Sequence, residues 1–200
     1  MDTISNISPL VHAIIGFALR INPGAAQAQA QAAIDASNVY HAALGLSQRD
    51  TAELLLGLAY AESRYDMDAL SRIECLPRRP CRRITTVWRK KTKPRYARPS
   101  WFCGPVQTGG HVPWKVCQRM REDPAFAYAS AAKELAVWLS DPVCRRLRGQ
   151  KRLVCGIRGY AGGYAAVKKA TLSYPYKIFK LSKLIHRRVD QYTAKNTPRT

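Results

Sequence analysis

A glutamate followed by a serine, Glu62-Ser63, stands where an apolar helical stretch gives out. Leu54, Leu55, Leu58 and Ala61 precede it at i, i+1, i+4 and i+7, one stripe at helical spacing. One turn past Leu58, the Glu62 carboxyl can be partly sheltered by the core and still face a cleft. Burial disfavours the charged form of a carboxyl, and a glutamic acid that holds its proton near neutrality can act as a general acid. The acids next in sequence, Asp66, Asp68 and Glu74, read as solvated loop residues, with Asp66 also suited to capping the helix end. His111 is a lone surface histidine by its surroundings. Six cysteines, at 75, 81, 103, 117, 144 and 155, form an even set that favours disulfides, with fifteen possible pairings left open. Free thiols and zinc are the rival readings. Zinc fits less well, because no CxxC pair occurs and the histidines do not fall at ligand spacing. No metal or cofactor is expected.

The elements that must position Glu62 follow from the same patterning. Residues 9–21 form an apolar segment that breaks at Asn22-Pro23-Gly24. Residues 25–44 predict an Ala/Gln-rich helix closed by Gly45. Ser47 caps the helix from 48 to about 64 that carries Glu62. Residues 72–100 change character: eleven Lys/Arg, one Glu and four prolines leave little to bury. They predict a basic insertion with a short hairpin around 84–88, held by Cys75 and Cys81. Asp123-Pro124 opens a further helix with Phe126, Ala129, Leu135, Trp138 and Leu139 on its core face, ended by Asp141-Pro142. Four glycines between 155 and 164 demand either positive φ or close approach of the backbone to a neighbour. A last helix runs from Pro175 to about Tyr192, apolar at Ile178, Leu181 and Ile185, with a frayed tail at 193–200. The fold class is mainly α. The expected organisation is an N-terminal helical segment (1–46) packed on a domain spanning 47–192.

Three blocks in order carry a family resemblance. Glu62-Ser63, Tyr65, Ala69 and Ser71, then Gly104 to Gln107, then Tyr160-Ala161-Gly162-Gly163 are similar to the motifs of the soluble lytic transglycosylase family, over roughly residues 48–165. Pro105-Val106 stands where the family has Leu-Met, and Ala161 where it usually has Asn. The resemblance implies a lysozyme-like fold and a one-carboxylate mechanism. Glu62 would protonate the glycosidic oxygen between N-acetylmuramic acid and N-acetylglucosamine. The substrate's own acetamido group would stabilise the transition state, and Glu62 would then take the C6 hydroxyl proton to close a 1,6-anhydro ring. By position, Ser63 would hold the acetamido group or the Glu62 carboxyl, Gln107 would contact a sugar amide, and Tyr160 would pack beside Glu62 and hydrogen-bond it. A hydrolase using water differs only in product. The Cys103 to Thr108 stretch, the Trp114…Cys117 pair and the basic C-terminal part also resemble wall-degrading proteins of bacteriophages or prophages.

The chain of 200 residues carries 33 Lys+Arg against 13 Asp+Glu, a formal charge of +20, with 46% hydrophobic residues. That excludes a histone-like tail, and no apolar run is long enough to span a membrane. Met1-Asp2-Thr3 lacks the basic start of a secretory leader. The excess charge points to a polyanion. Peptidoglycan strands are the expected partner, together with other virion proteins. Action outside the cytoplasm, from a virion or after release, reconciles disulfides with the absent leader. The alternative reading is an inactive lysozyme-like virion protein that binds DNA or wall through its basic surface, although no helix-turn-helix, zinc-finger or RNA-recognition pattern occurs.

Overall fold

Capping residues set the helix boundaries in the computed structural model, which describes residues 7–17, 21–74, 82–85, 100–110, 113–167 and 173–197. Helix α1 spans Ser8–Phe17. Asn22 accepts the Ala25 N–H at 2.7 Å and Pro23 takes the first turn of α2 (Pro23–Leu44), which Gly45 closes at φ 69°. Ser47 accepts the Asp50 N–H at 3.0 Å and opens α3 (Gln48–Ser63). Asp123 accepts the Phe126 N–H at 3.0 Å before α5 (Pro124–Ser140). Helices α4 (Trp114–Glu122), α6 (Gly149–Val167) and α7 (Ser173–Asn196) complete the helical set. Among the described residues, four short strands, β1 (Leu70–Glu74), β2 (Arg82–Thr85), β3 (Ser100–Cys103) and β4 (Thr108–Gly110), make one antiparallel sheet in the order β2-β1-β3-β4. The protein is mainly α.

Helix α3 is the axis of the core. Every residue from Thr51 to Ala59 is buried, so the one-sided stripe predicted from its leucines widens to the whole circumference. Helices α2 and α7 pack most extensively against it, and α1 and α5 also touch it. Small residues set the spacing: Ala26, Ala30 and Ala33 on α2 and Ala127, Ala131 and Ala132 on α5 are buried where these helices pack together. At Gly57 an added Cβ would stand 3.3 Å from the Ser182 nitrogen and 3.4 Å from the Ile178 oxygen, so α7 lies directly on the α3 backbone. Helices α1 and α2 share one continuous core with α3, α5 and α7.

Some sequence expectations shift. The glycine-rich stretch needs no positive φ at Gly156 or Gly159; it is the middle of α6, and the close-approach reading is the one realised. A Cβ at Gly159 would sit 2.3 Å from the Trp138 ring, and one at Gly156 would sit 2.6 Å from Leu139. Helix α4 has no counterpart in the sequence reading, because its buried face is only Cys117 and Met120. Helix α7 starts at Ser173 and runs to Asn196, beyond the expected end at Tyr192. Ile84 pairs with Arg72 across β1–β2; the rest of the hairpin expected at 84–88, residues 86–88, lies outside the described residues. Cys75, Cys81 and most of the basic insertion lie outside the described residues.

Among the described residues two disulfides are present, Cys103–Cys117 and Cys144–Cys155, with sequence separations of 14 and 11. Loops of this size constrain the unfolded chain by about 3 kcal/mol each in the chain-entropy account. Such bonds persist in oxidising surroundings. Among the described residues no helix is long and apolar enough to cross a membrane.

Candidate active site

Glu62 stands in the last turn of α3, half-buried, and the way that helix stops determines what the carboxyl faces. Two consecutive non-glycine residues, Arg64 and Tyr65, take left-handed backbone at φ 59° and 67°. Such residues cost on the order of 1–2 kcal/mol each unless their surroundings hold them. Here Arg64 N donates to the Tyr60 oxygen at 3.0 Å, closing the helix. Tyr65 is 3% exposed, and its carbonyl accepts the Gln29 amide at 2.8 Å. Gln29 in turn accepts the Tyr128 hydroxyl at 2.9 Å, so α2 and α5 both secure the turn. The result is an abrupt end to α3 immediately after Ser63.

The second sequence block is a tight turn, Gly104–Gln107, brought against this helix end. Gly104 has φ 72°, and an added Cβ would stand 2.4 Å from the Met120 oxygen, so only glycine fits. Gly104 N donates to the Ala69 oxygen at 3.0 Å, and the adjoining Cys103–Cys117 bond ties the turn to α4. Ser63 Oγ donates to the Pro105 oxygen at 2.7 Å and accepts the Asp66 N–H at 3.0 Å. The third block arrives on α6: Tyr160, buried, donates its hydroxyl to the Val106 oxygen at 2.6 Å. Gln107 is 6% exposed at φ 49°, and its side-chain amide donates to the Gly104 oxygen at 3.0 Å. Ser63, Gln107 and Tyr160 thus meet on one turn beside Glu62, although they lie up to about a hundred residues apart in sequence.

Their roles differ in part from those expected. A phenol has one proton, and Tyr160 directs it to the Val106 oxygen. The tyrosine that donates to Glu62 Oε1 is Tyr174, in the first turn of α7. Ser63 and Gln107 shape the turn through the contacts named above. Lys177 Nζ reaches the Ala61 oxygen at 3.5 Å, a cation at the negative end of α3. A tyrosine opening a helix some 110 residues away carries no local signal; only the packing of α7 on α3 brings it to Glu62. Asp66 and Asp68 are exposed, as expected: Asp66 Oδ1 accepts the Asp68 N–H at 2.9 Å, and Asp68 pairs with Arg121 at 3.1 Å. Nothing in the structure describes the Glu74 side chain or His111, which lie outside the described residues in that respect. Beside the same helix end, on the side of α1 and α2, opens a cleft of about 860 Å³ whose wall includes Phe17, Tyr60 and Tyr65 and whose rim includes Arg64 and Asp66.

A second charged cluster lies further along α3. Glu53, 1% exposed, accepts Arg49 Nε at 2.9 Å and pairs with His186 Nδ1 at 2.8 Å; Asp190 bonds Arg49 and stands 3.4 Å from His186 Nε2. Burial pushes the Glu53 carboxyl above its usual range, with Arg49 and His186 pulling it back, whereas the Arg49 hydrogen bond holds Asp190 below its usual range. Asp50, Glu53 and His186 bring possible ligand atoms within 4.8 Å of one another. Arg49 already neutralises Glu53 there, and Ser47 occupies Asp50 at 2.8 Å, so the chemistry is that of an interhelical ion-pair network.

Comparison of the chain with protein-family models, with curated proteins and with solved structures returns no match.

Proposed function

We propose that the protein is a peptidoglycan lytic transglycosylase of lysozyme-like fold that cleaves the β-1,4 bond between N-acetylmuramic acid and N-acetylglucosamine, with Glu62 as its general acid and base. The observation that carries this reading is the meeting of the three blocks: Ser63 and Tyr160 grip the two central carbonyls of the Gly104–Gln107 turn, next to Glu62. These blocks resemble the motifs of one family, and a shared site gives them a common purpose. Tyr174 supplies the remaining part. The Tyr174 hydroxyl orients the carboxyl that carries the transferable proton in this mechanism. Glu62 gives that proton to the departing glycosidic oxygen as the C1–O bond breaks. The acetamido oxygen of the same sugar shields the electron-deficient C1. The C6 hydroxyl then bonds to C1 and returns its proton to Glu62, so no water is consumed. A bacteriophage or prophage origin accords with this chemistry, because such an enzyme meets its substrate outside the cytoplasm, where the two disulfides endure.

The deciding measurement is the mass of the muropeptides released from purified peptidoglycan. Anhydro products, lighter by one water than hydrolysed ones, are expected. Fully hydrated products would make the protein a hydrolase, and no release at all would remove the enzymatic reading.

Tyr174→Phe tests the second part. Losing one hydrogen bond that orients the reacting carboxyl is expected to lower kcat by about tenfold to a hundredfold with little change in KM. The pH–rate profile should also move, since the bond acts on the titrating group itself. An unchanged profile together with unchanged kcat would confine Tyr174 to packing.

A further inference from the structure

From Pro142 to Val189 the chain has thirteen Lys and Arg and no Asp or Glu. The structure turns this acid-free stretch into a surface. Lys177, Lys180, Lys183 and Arg187 are exposed along α7, within a 120° sector of the helix and about 15 Å from first to last at 1.5 Å per residue. The buried residues of the same helix, Ile178, Ile185 and Val189, face the core. Lys183 also lines a groove of about 360 Å³ between α7, the start of α6 and the turn after α2. Arg152 lines the opposite side, and Leu46, Leu153 and Phe179 add apolar surface. The turn leading into α6 adds exposed Arg145, Arg146 and Arg148, followed by Lys151. The track begins at the candidate active site, because Tyr174 and Lys177 at the head of α7 touch Glu62 and the Ala61 carbonyl.

We infer that this track binds a linear wall-attached phosphodiester polymer, a poly(polyol phosphate), and holds the enzyme on wall that carries it; the inference rests on the transglycosylase reading. A groove of about 360 Å³ has room for one extended chain. Single-stranded nucleic acid calls for successive aromatic platforms on which bases stack. Phe179 is the aromatic among the described residues lining this groove. A polyol phosphate has no base to stack and presents one charge per short unit, which suits a row of cations over an apolar floor. Continuity with the Glu62 site favours a polyanion covalently attached to the glycan being cut.

The test uses the full chain and a triple variant, Lys180→Gln, Lys183→Gln and Arg187→Gln, at exposed positions outside the active site. Binding to poly(glycerol phosphate) is titrated at several salt concentrations. Retention is measured on purified walls before and after cold hydrofluoric acid strips their phosphodiester polymers. The wild type is expected to bind stripped walls about tenfold less than native ones. The variant should bind poly(glycerol phosphate) about tenfold more weakly, with a shallower salt dependence, and cleave stripped walls at the wild-type rate. Equal retention on both walls, or equal binding by the variant, overturns the inference. So does a short DNA duplex that displaces the protein at a lower phosphate concentration than poly(glycerol phosphate), which would assign the track to nucleic acid. If the wild type cleaves neither wall yet binds poly(glycerol phosphate) through these three residues, the track stands and the transglycosylase reading falls.

Discussion

If Glu62 acts as proposed, Glu62→Gln is expected to lower wall cleavage by at least about a thousandfold, below detection in a turbidity assay, while the protein remains folded. Glutamine has the shape of glutamate and keeps an oxygen where Oε1 accepts the Tyr174 proton, so the α3–α7 contact survives. It has no proton to give near neutrality, and it cannot act as a base afterwards. In a one-carboxylate mechanism no second acid is available to substitute. Asp66 and Asp68 are exposed beyond the helix end and engaged with the Asp68 N–H and with Arg121. A fully retained circular dichroism spectrum and melting temperature should accompany the loss. A Glu62→Gln protein that still clears murein at a tenth of the wild-type rate would place the catalytic acid elsewhere.

Glu53→Ala should cost about 3 kcal/mol of stability at neutral pH, read as a shift in the urea unfolding midpoint. Its carboxyl is buried and lies between Arg49 and His186, so deletion leaves the Arg49 guanidinium and the His186 ring against an empty space between α3 and α7. The more exposed Arg49–Asp190 link recovers little, since solvent screens it. The pH dependence has a definite sign. The folded Glu53 carboxyl titrates above its unfolded value, so its contribution is complete below the ordinary glutamate range and is lost as pH rises through the raised value. Asp190 behaves oppositely: its lowered value makes its contribution present above the ordinary aspartate range and lost on acidification. Glu53→Gln should therefore flatten the decline in stability as pH rises above the ordinary glutamate range and leave the loss on acidification in place. An identical slope in the two proteins would show that Glu53 does not titrate differently on folding. Because the same two helices hold Tyr174 against Glu62, the Ala variant should lose activity at temperatures well below those the wild type tolerates.

Local chemistry made much of this legible in advance. Asn22-Pro23, Gly45, Ser47 and Asp123-Pro124 mark helix ends by hydrogen bonds made within a few residues, and each acts there in the fold. The place of Glu62 at the end of α3 follows from the same local rules. Helix α4 was not legible, because two buried side chains make no periodic pattern. Nor was the pairing of the cysteines, since closing a loop of 14 or of 11 residues is comparably easy for an unfolded chain.

The charge of +20, the Glu-Ser block and the mainly helical class are properties of the sequence by itself, being sums or short-range patterns. Which tyrosine serves Glu62 is not. Tyr160 and Tyr174 stand only 14 residues apart, and the sequence favoured the first because it belongs to a recognisable block. Burial on α6 commits Tyr160 to Val106, while the glycine at position 57 lets α7 descend onto α3 and bring Tyr174 to the carboxyl. Hydrogen bonds between distant segments depend on the distance between helices, and that distance is set only when the whole core is packed.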